Sequence, residues 1–326
     1  MSSALPLRAP WHRPLLVFVS AMAVLAVVCA VGVFADPRVL TGAPIWLKPL
    51  KFSVSLMLYG ATLAWMLTLL PRRSRVAEWA GTVVVAMGVV EMTIIVGQVL
   101  RGTTSHFNVS SPLNAALWQA MGIAINVLMV AHMVIGVAVL RRPIPDRVGR
   151  YAVGLGLGLT LLGMLTAVPM TMNGAESAVA GIVGAHSVGV PDGGPGLPVL
   201  GWSTTGGDLR IPHFVGMHAL QVLPVLALLL GRFRSGRLDQ RVQVRLLVVA
   251  GTAYGAGTLL LTWQALRGQP LLEPDALTLG AAAALLVATV VAVGAVLARP
   301  RRPEPVAAPV DGSPAQADAA RDEVTV

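Results

Sequence analysis

Cysteine and charge are the two scarce commodities of this sequence. A single cysteine, Cys29, occurs among 326 residues, so neither a disulfide framework nor a cysteine-based zinc site can be built within the chain. Charged residues make up 12%, where soluble globular proteins carry about 25%. With 55% hydrophobic residues and a mean hydropathy of +0.74, that deficit excludes a soluble globular chain. Lysine is nearly absent as well: Lys48 and Lys51 stand alone against arginine at every other basic position. Arginine bias with abundant Ala, Gly and Val fits a GC-rich bacterial coding sequence, which makes the plasma membrane the expected location.

What is present is a series of apolar stretches of about 20 residues, the length that crosses ~30 Å of hydrocarbon at 1.5 Å per residue. Eight occur, at 15–35, 52–70, 77–100, 114–140, 151–172, 212–231, 244–266 and 277–298. The expected fold is an all-α polytopic bundle, with a membrane domain over 15–298 between a short segment 1–14 and a tail 299–326. The tail is rich in Pro, Ala and Asp and offers no periodic apolar face, so it reads as disordered. The first stretch is longer than a typical signal-peptide core and reads as a retained helix.

A net charge of +9 suggests nucleic acid until its distribution is inspected. One set of alternating segments holds Arg8, Arg13, Arg72, Arg73, Arg75, Arg141, Arg142, Arg147, Arg150, Arg232, Arg234, Arg237, Arg241, Arg245, Arg299, Arg301, Arg302 and Arg321, against only Arg38, Lys48, Lys51, Arg101, Arg210 and Arg267 in the other. That asymmetry is the positive-inside pattern of an even-numbered bundle with both termini cytoplasmic. The charge sets orientation, and no nucleic-acid partner is expected.

The outer connections carry the unusual residues. The longest, 173–211, contains Gly193-Gly194-Pro195-Gly196 and Gly206-Gly207 together with His186, Asp192, Trp202 and Asp208. Turn formers joined to acid, imidazole and indole groups favour a folded lid or ligand-binding loop over a spacer. Its apolar portion 178–185 is expected to form a short interfacial or re-entrant helix. A weak internal repeat also occurs. Gln98-Val99-Leu100-Arg101-Gly102 recurs as Gln264-Ala265-Leu266-Arg267-Gly268, and Pro49-Leu50-Lys51-Phe52 resembles Ile211-Pro212-His213-Phe214 at a nearly equal offset. A duplicated four-helix unit would give a 4+4 parallel repeat.

Ionisable groups inside a spanning helix cost about 2.5–3.5 kcal/mol at its centre and mark candidate sites. Helical rise puts Glu91 ~13 Å and His218 ~9 Å below the outer surface, and His132 ~27 Å down. Matched depth makes Glu91 and His218 candidates for one pocket, with Gln98 on the Glu91 face and Gln221 on the His218 face. His132 reads as structural. Arg101, Asp208 and Trp202 complete the expected ligand-binding set. Lys48 and Lys51, beside Trp46, read first as interface anchors and alternatively as a positive gate for an anionic substrate. His106, His186, His213 and His218 supply candidate ligands for a divalent metal or a haem.

No motif in the chain dictates a reaction, and three functions follow from these residues. The first is a transporter or receptor-like module whose outward pocket of Glu91, His218 and Gln221 binds a small molecule or ion. The second is a membrane redox protein or metalloenzyme using outer histidines. The third is an accessory subunit whose polar residues serve packing against a membrane-protein partner within the lipid bilayer.

Overall fold

The computed structural model describes residues 11–70, 72–141, 144, 146–172, 180–232 and 238–298. It is all-helical apart from four two-residue strands. The helices are α1 (Arg13–Ala35), α2 (Leu47–Thr68), α3 (Arg75–Leu100), α4 (Pro112–Leu140), α5 (Arg147–Leu165), α6 (Val168–Met172), α7 (Arg210–Met217), α8 (Ala219–Arg232), α9 (Gln240–Leu266) and α10 (Ala276–Ala298). Seven helices are long and apolar enough to cross a membrane, α5 with α6 counting as one, and α7 with α8 makes an eighth bent by 44°. The expected disordered tail and the N-terminal segment 1–10 lie outside the described residues.

Most helix starts follow from a polar residue that accepts a first-turn N–H and so satisfies a donor left without a helical partner. His12, Ser74, Ser111, Asp146 and Asp239 do this for α1, α3, α4, α5 and α9. Asp275 does it for α10 through the Thr278 N–H. α2 starts earlier than hydropathy suggests, because Lys48 and Lys51 lie inside its first two turns.

Packing is inverted relative to a soluble protein. Phe34 is 91% exposed and Trp79 71% exposed on the bundle's outside, while Glu91, Gln98, Asn114 and His132 are buried. His132 is held by the Tyr59 hydroxyl at 3.0 Å and contacts the Leu157 carbonyl at 3.4 Å, in keeping with a structural role. α1 packs on α2, α3 on α4, α5 on α7 and α8, and α9 on α10. The α5–α7 crossing is closed by Gly163 against Gly216, where a Cβ on either would penetrate the opposite backbone.

The α7–α8 break at His218 leaves carbonyls that a continuous helix would use, and neighbouring helices take them. Tyr254 of α9 donates to Val215 O, and Thr160 of α5 donates to Met217 O at 3.1 Å. Pro224 inside α8 removes a further helical N–H. Such side-chain rescue is what permits irregular backbone within an apolar bundle.

The turns after α3 and α9 share one hydrogen-bonding pattern. Gly102 and Gly268 take φ of +70° and +71°, and the N–H groups of Thr103 and Gln269 return to the carbonyls of Gln98 and Gln264 at 3.0 and 3.2 Å. This is a Schellman termination, which needs glycine at its left-handed position. Each glutamine side chain then reaches six residues ahead, Gln98 Nε2 to Thr104 O at 3.2 Å and Gln264 Nε2 to Pro270 O at 2.7 Å. Arg101 bonds Asn114 in the first turn of α4, as Arg267 bonds Thr278 in the first turn of α10.

Candidate functional site

At the bundle end where α2 and α7 begin and α3 finishes, the segment 180–209 folds into a lid. β3 (Ser187–Val188) pairs antiparallel with β4 (Gly207–Asp208), and β1 (Val39–Leu40) pairs with β2 (Ala43–Pro44) in the α1–α2 connection. The described part of 178–185, residues 180–185, is a turn and an Asn108–Ile182 bridge. Backbone bonds from Val109 N–H to Gly181 O and from Val183 N–H to Phe107 O hold it down, so the expected short helix is corrected to extended chain; 178 and 179 lie outside the described residues.

Two aspartates build the lid. Asp192 accepts the N–H groups of His186 and Ser187 and the His186 ring nitrogen, the last at 2.6 Å. Asp208 accepts the N–H groups of Ser203 and Arg210 and is clamped by the Arg210 guanidinium, with Nε and Nη2 at 2.9 and 2.6 Å. Arg210 Nη2 also donates to Gly201 O. Asp192 is therefore saturated by donors of the lid itself, and Asp208 by Ser203 of the lid together with Arg210 at the start of α7.

Burial opposes the ionised form of Asp192, but its bonds from His186 and Ser187 prevail and hold its pKa below the ordinary carboxylate range. A depressed folded pKa contributes stability that is complete above about pH 4 and lost as pH falls through the folded value. Hydrogen exchange of the lid amides, corrected for intrinsic rate, should thus be pH-independent above about 4 and accelerate below it. Asp192→Asn should abolish that acceleration.

Beneath the lid lies a cavity of about 330 Å³, lined among others by Lys48, Lys51, Phe52, Ser105, Arg210 and Phe214. Lys48 and Lys51 are half-buried and face this cavity. Lys51 Nζ is fastened to Leu200 O at 3.0 Å. Lys48 Nζ has no hydrogen-bond partner among the described residues, and its charged neighbours are Arg210, Lys51, Asp192 and Glu91. α2 has no side-chain cap from Trp46, so the positive end of its dipole adds to the lysine charges.

Below the cavity Glu91 is 6% exposed and interacts with Lys48 rather than with His218. The other expected ligand-binding residues are placed elsewhere. Gln98 and Arg101 bond each other and Asn114. Gln221 donates to Thr62 at 3.1 Å, and its Oε1 is buried without a partner. His218 occupies the helix break. Trp202 contributes its carbonyl to the Leu197 N–H of the lid, and Asp208 is saturated as described. Of this set, two acids pair with cavity-lining cations: Asp208 with Arg210, within the lid's own bonding, and Glu91 with Lys48.

The histidines gather without converging. His106 sits among Phe52, Phe107 and Trp118, with ring centroids 5.6, 6.1 and 5.7 Å away. Burial above all, with Lys48, His186 and His213 adding to it, pushes its pKa well below the usual histidine value. Burial likewise lowers His186, against the pull of Asp192. His213 Nδ1 donates to Gly163 O at 2.7 Å. Among the described residues, no three His, Cys, Asp or Glu side chains are arranged to hold a metal ion. In the expected metal set, one ring nitrogen each of His106, His186 and His213 is engaged by Ser105, Asp192 and Gly163 O, and His218 lies at the helix break.

No family model, curated protein or solved structure matches this chain. Sequence reasoning underweighted Lys48 and Arg210. The signal was available: basic residues in the first turn of a helix oppose its dipole, and both α2 and α7 begin that way at the same end of the bundle.

Proposed function

We propose that the protein is a multi-pass plasma-membrane protein, with both termini cytoplasmic, whose lidded outer pocket binds a small anion for transport. The observation that carries this reading is the cavity lined by Lys48 and Lys51, with Arg210 committed to Asp208 at its edge and Asp192 taken up by the N–H groups of His186 and Ser187. Its volume suits a small molecule. Glu91 serves as the counter-charge to Lys48 in the empty pocket, and an entering anion takes over that role. Protonation of Glu91 would favour the exchange, linking anion binding to proton uptake.

The bent pair α7–α8 supports transport over simple binding, because interrupted helices at a polar pocket are a recurring transporter arrangement. The twin turns after α3 and α9, with the equivalent pairing of α1–α4 and of α5 with α7–α10, support a 4+4 parallel repeat of the same class. The arginine distribution supports the orientation.

The test is equilibrium binding of inorganic phosphate, sulfate, acetate and succinate to the purified full chain in detergent, followed by uptake into proteoliposomes. At least one anion should bind saturably. Lys48→Gln should weaken it by about 10- to 100-fold, the range for one charge-assisted contact. Glu91→Gln should strengthen it at neutral pH. Saturable binding of cations alone, or an affinity indifferent to Lys48→Gln, would overturn the reading.

A further inference from the structure

A second cavity, of about 770 Å³, opens at the opposite end of the bundle between α5, α9 and α10. Arg147, Arg241 and Arg245 line its mouth together with Val244 and Val296, and Val248, Val249 and Ala292 line it further along the helices. None of the three arginines forms an ion pair among the described residues. The acids nearest in sequence are occupied: Asp146 caps α5 through the N–H groups of Val148 and Gly149, and Asp239 caps α9 through that of Val242. Arg147 and Arg241 lie in the first turns of their helices, where a cation meets the wrong end of the dipole.

The walls decide what such a cluster binds. α10 packs chiefly on α9, and its buried residues are Thr278 and Val296. It leaves an apolar cleft beside α5 that continues along the helices rather than closing beneath the arginines. Tyr151, 39% exposed, stands at the same level as the arginines, the place of an interfacial aromatic. A free phosphate or a nucleotide would use the arginines and leave the cleft empty. A molecule with an anionic head and a hydrocarbon body fills both, and basic pockets between membrane helices hold such head groups.

We infer that this cleft is a binding site for one anionic phospholipid, its phosphate held by Arg147, Arg241 and Arg245 and an acyl chain laid between α9 and α10. Arginine forks suit phosphate oxygens in a bidentate manner. Bound there, the lipid also supplies the side-to-side packing that α10 lacks, tying it to α5.

The test uses the purified full chain, delipidated in a neutral detergent and titrated with phosphatidylglycerol, phosphatidylcholine or inorganic phosphate. Retained lipid is read by native mass spectrometry and stabilisation by thermal unfolding. Phosphatidylglycerol should be retained and raise the melting temperature, with phosphatidylcholine and phosphate doing neither. The double variant Arg241→Gln/Arg245→Gln should lose at least about tenfold in phosphatidylglycerol affinity. Ala292→Trp, which fills the cleft and leaves every arginine in place, should lose it too. Equal retention of the two lipids overturns the proposal, as does stabilisation by phosphate alone or undiminished affinity in Ala292→Trp.

Discussion

Replacing Asp208 by alanine should unfasten the lid while leaving the helical bundle assembled. The Asp208 side chain is completely buried, and it is the common acceptor for the Ser203 and Arg210 N–H groups and the Arg210 guanidinium. Alanine strands two backbone donors and leaves a guanidinium that is 23% exposed without its counter-ion. Removing one partner of a buried pair costs about 3–5 kcal/mol, a loss confined here to the segment that the pair organises. Exchange of the amides of 187–209 should rise by two or more orders of magnitude, with α3 and α9 core amides little changed. Asp208→Asn keeps one acceptor oxygen and should lose about half as much. Unchanged lid protection in the alanine variant would show that the strand pairing and the Lys51–Leu200 contact hold the segment unaided.

The second large effect is expected at the α5–α7 crossing. A Gly163→Ala protein must place a methyl group against the backbone of Gly216 and Met217, which no rotamer change can relieve. Overpacking of this kind costs about 3 kcal/mol or more where the obstacle is main chain. It should also lengthen the His213–Gly163 hydrogen bond that seats α7 beneath the lid. The control lies on the same helix: Gly158 has open space where its Cβ would go, so Gly158→Ala should be neutral or slightly stabilising through helix propensity. Thermal unfolding of the pair in one detergent separates crossing geometry from any general effect of alanine in α5. Equal melting temperatures would mean that α7 can shift outward at no cost.

The helices were legible because crossing ~30 Å of hydrocarbon demands long apolar runs, and all eight expected stretches coincide with a long helix or with the bent pair. Their starts were less legible. α2 begins at Leu47 and not near Phe52 because Lys48 and Lys51 interrupt the hydropathy without interrupting the helix. The partners within the site were the least legible. Counting residues from a helix end gives height in the bundle, and on height alone Glu91 and His218 are well matched. Azimuth decides contact, and it is set by which helices pack together. The α2 start lies over the Glu91 face of α3, so Glu91 answers Lys48, while the chain turns at His218. Folding of the described part of the connection, 180–209, could be anticipated from its His, Trp and Asp residues; that Asp192 and Asp208 would both be consumed in building it could not, since their donors are largely backbone N–H groups.

The two Schellman turns divide the molecule by the sequence distance of its contacts. The side chains of Gln98, Arg101, Gln264 and Arg267 that close the Gln98–Asn114 and Gln264–Thr278 turns bond residues of their own hairpin, so the cores of α3–α4 and α9–α10 can each mature as they emerge, with little loop-closure entropy to overcome. The lid is the reverse case. Its contacts run back to Gly42, Lys51 and Asn108 and forward to Ala265, spanning most of the chain. It can be completed only after α9 is in place, and by the same topology it is the cooperative unit most easily released while every hairpin stays intact.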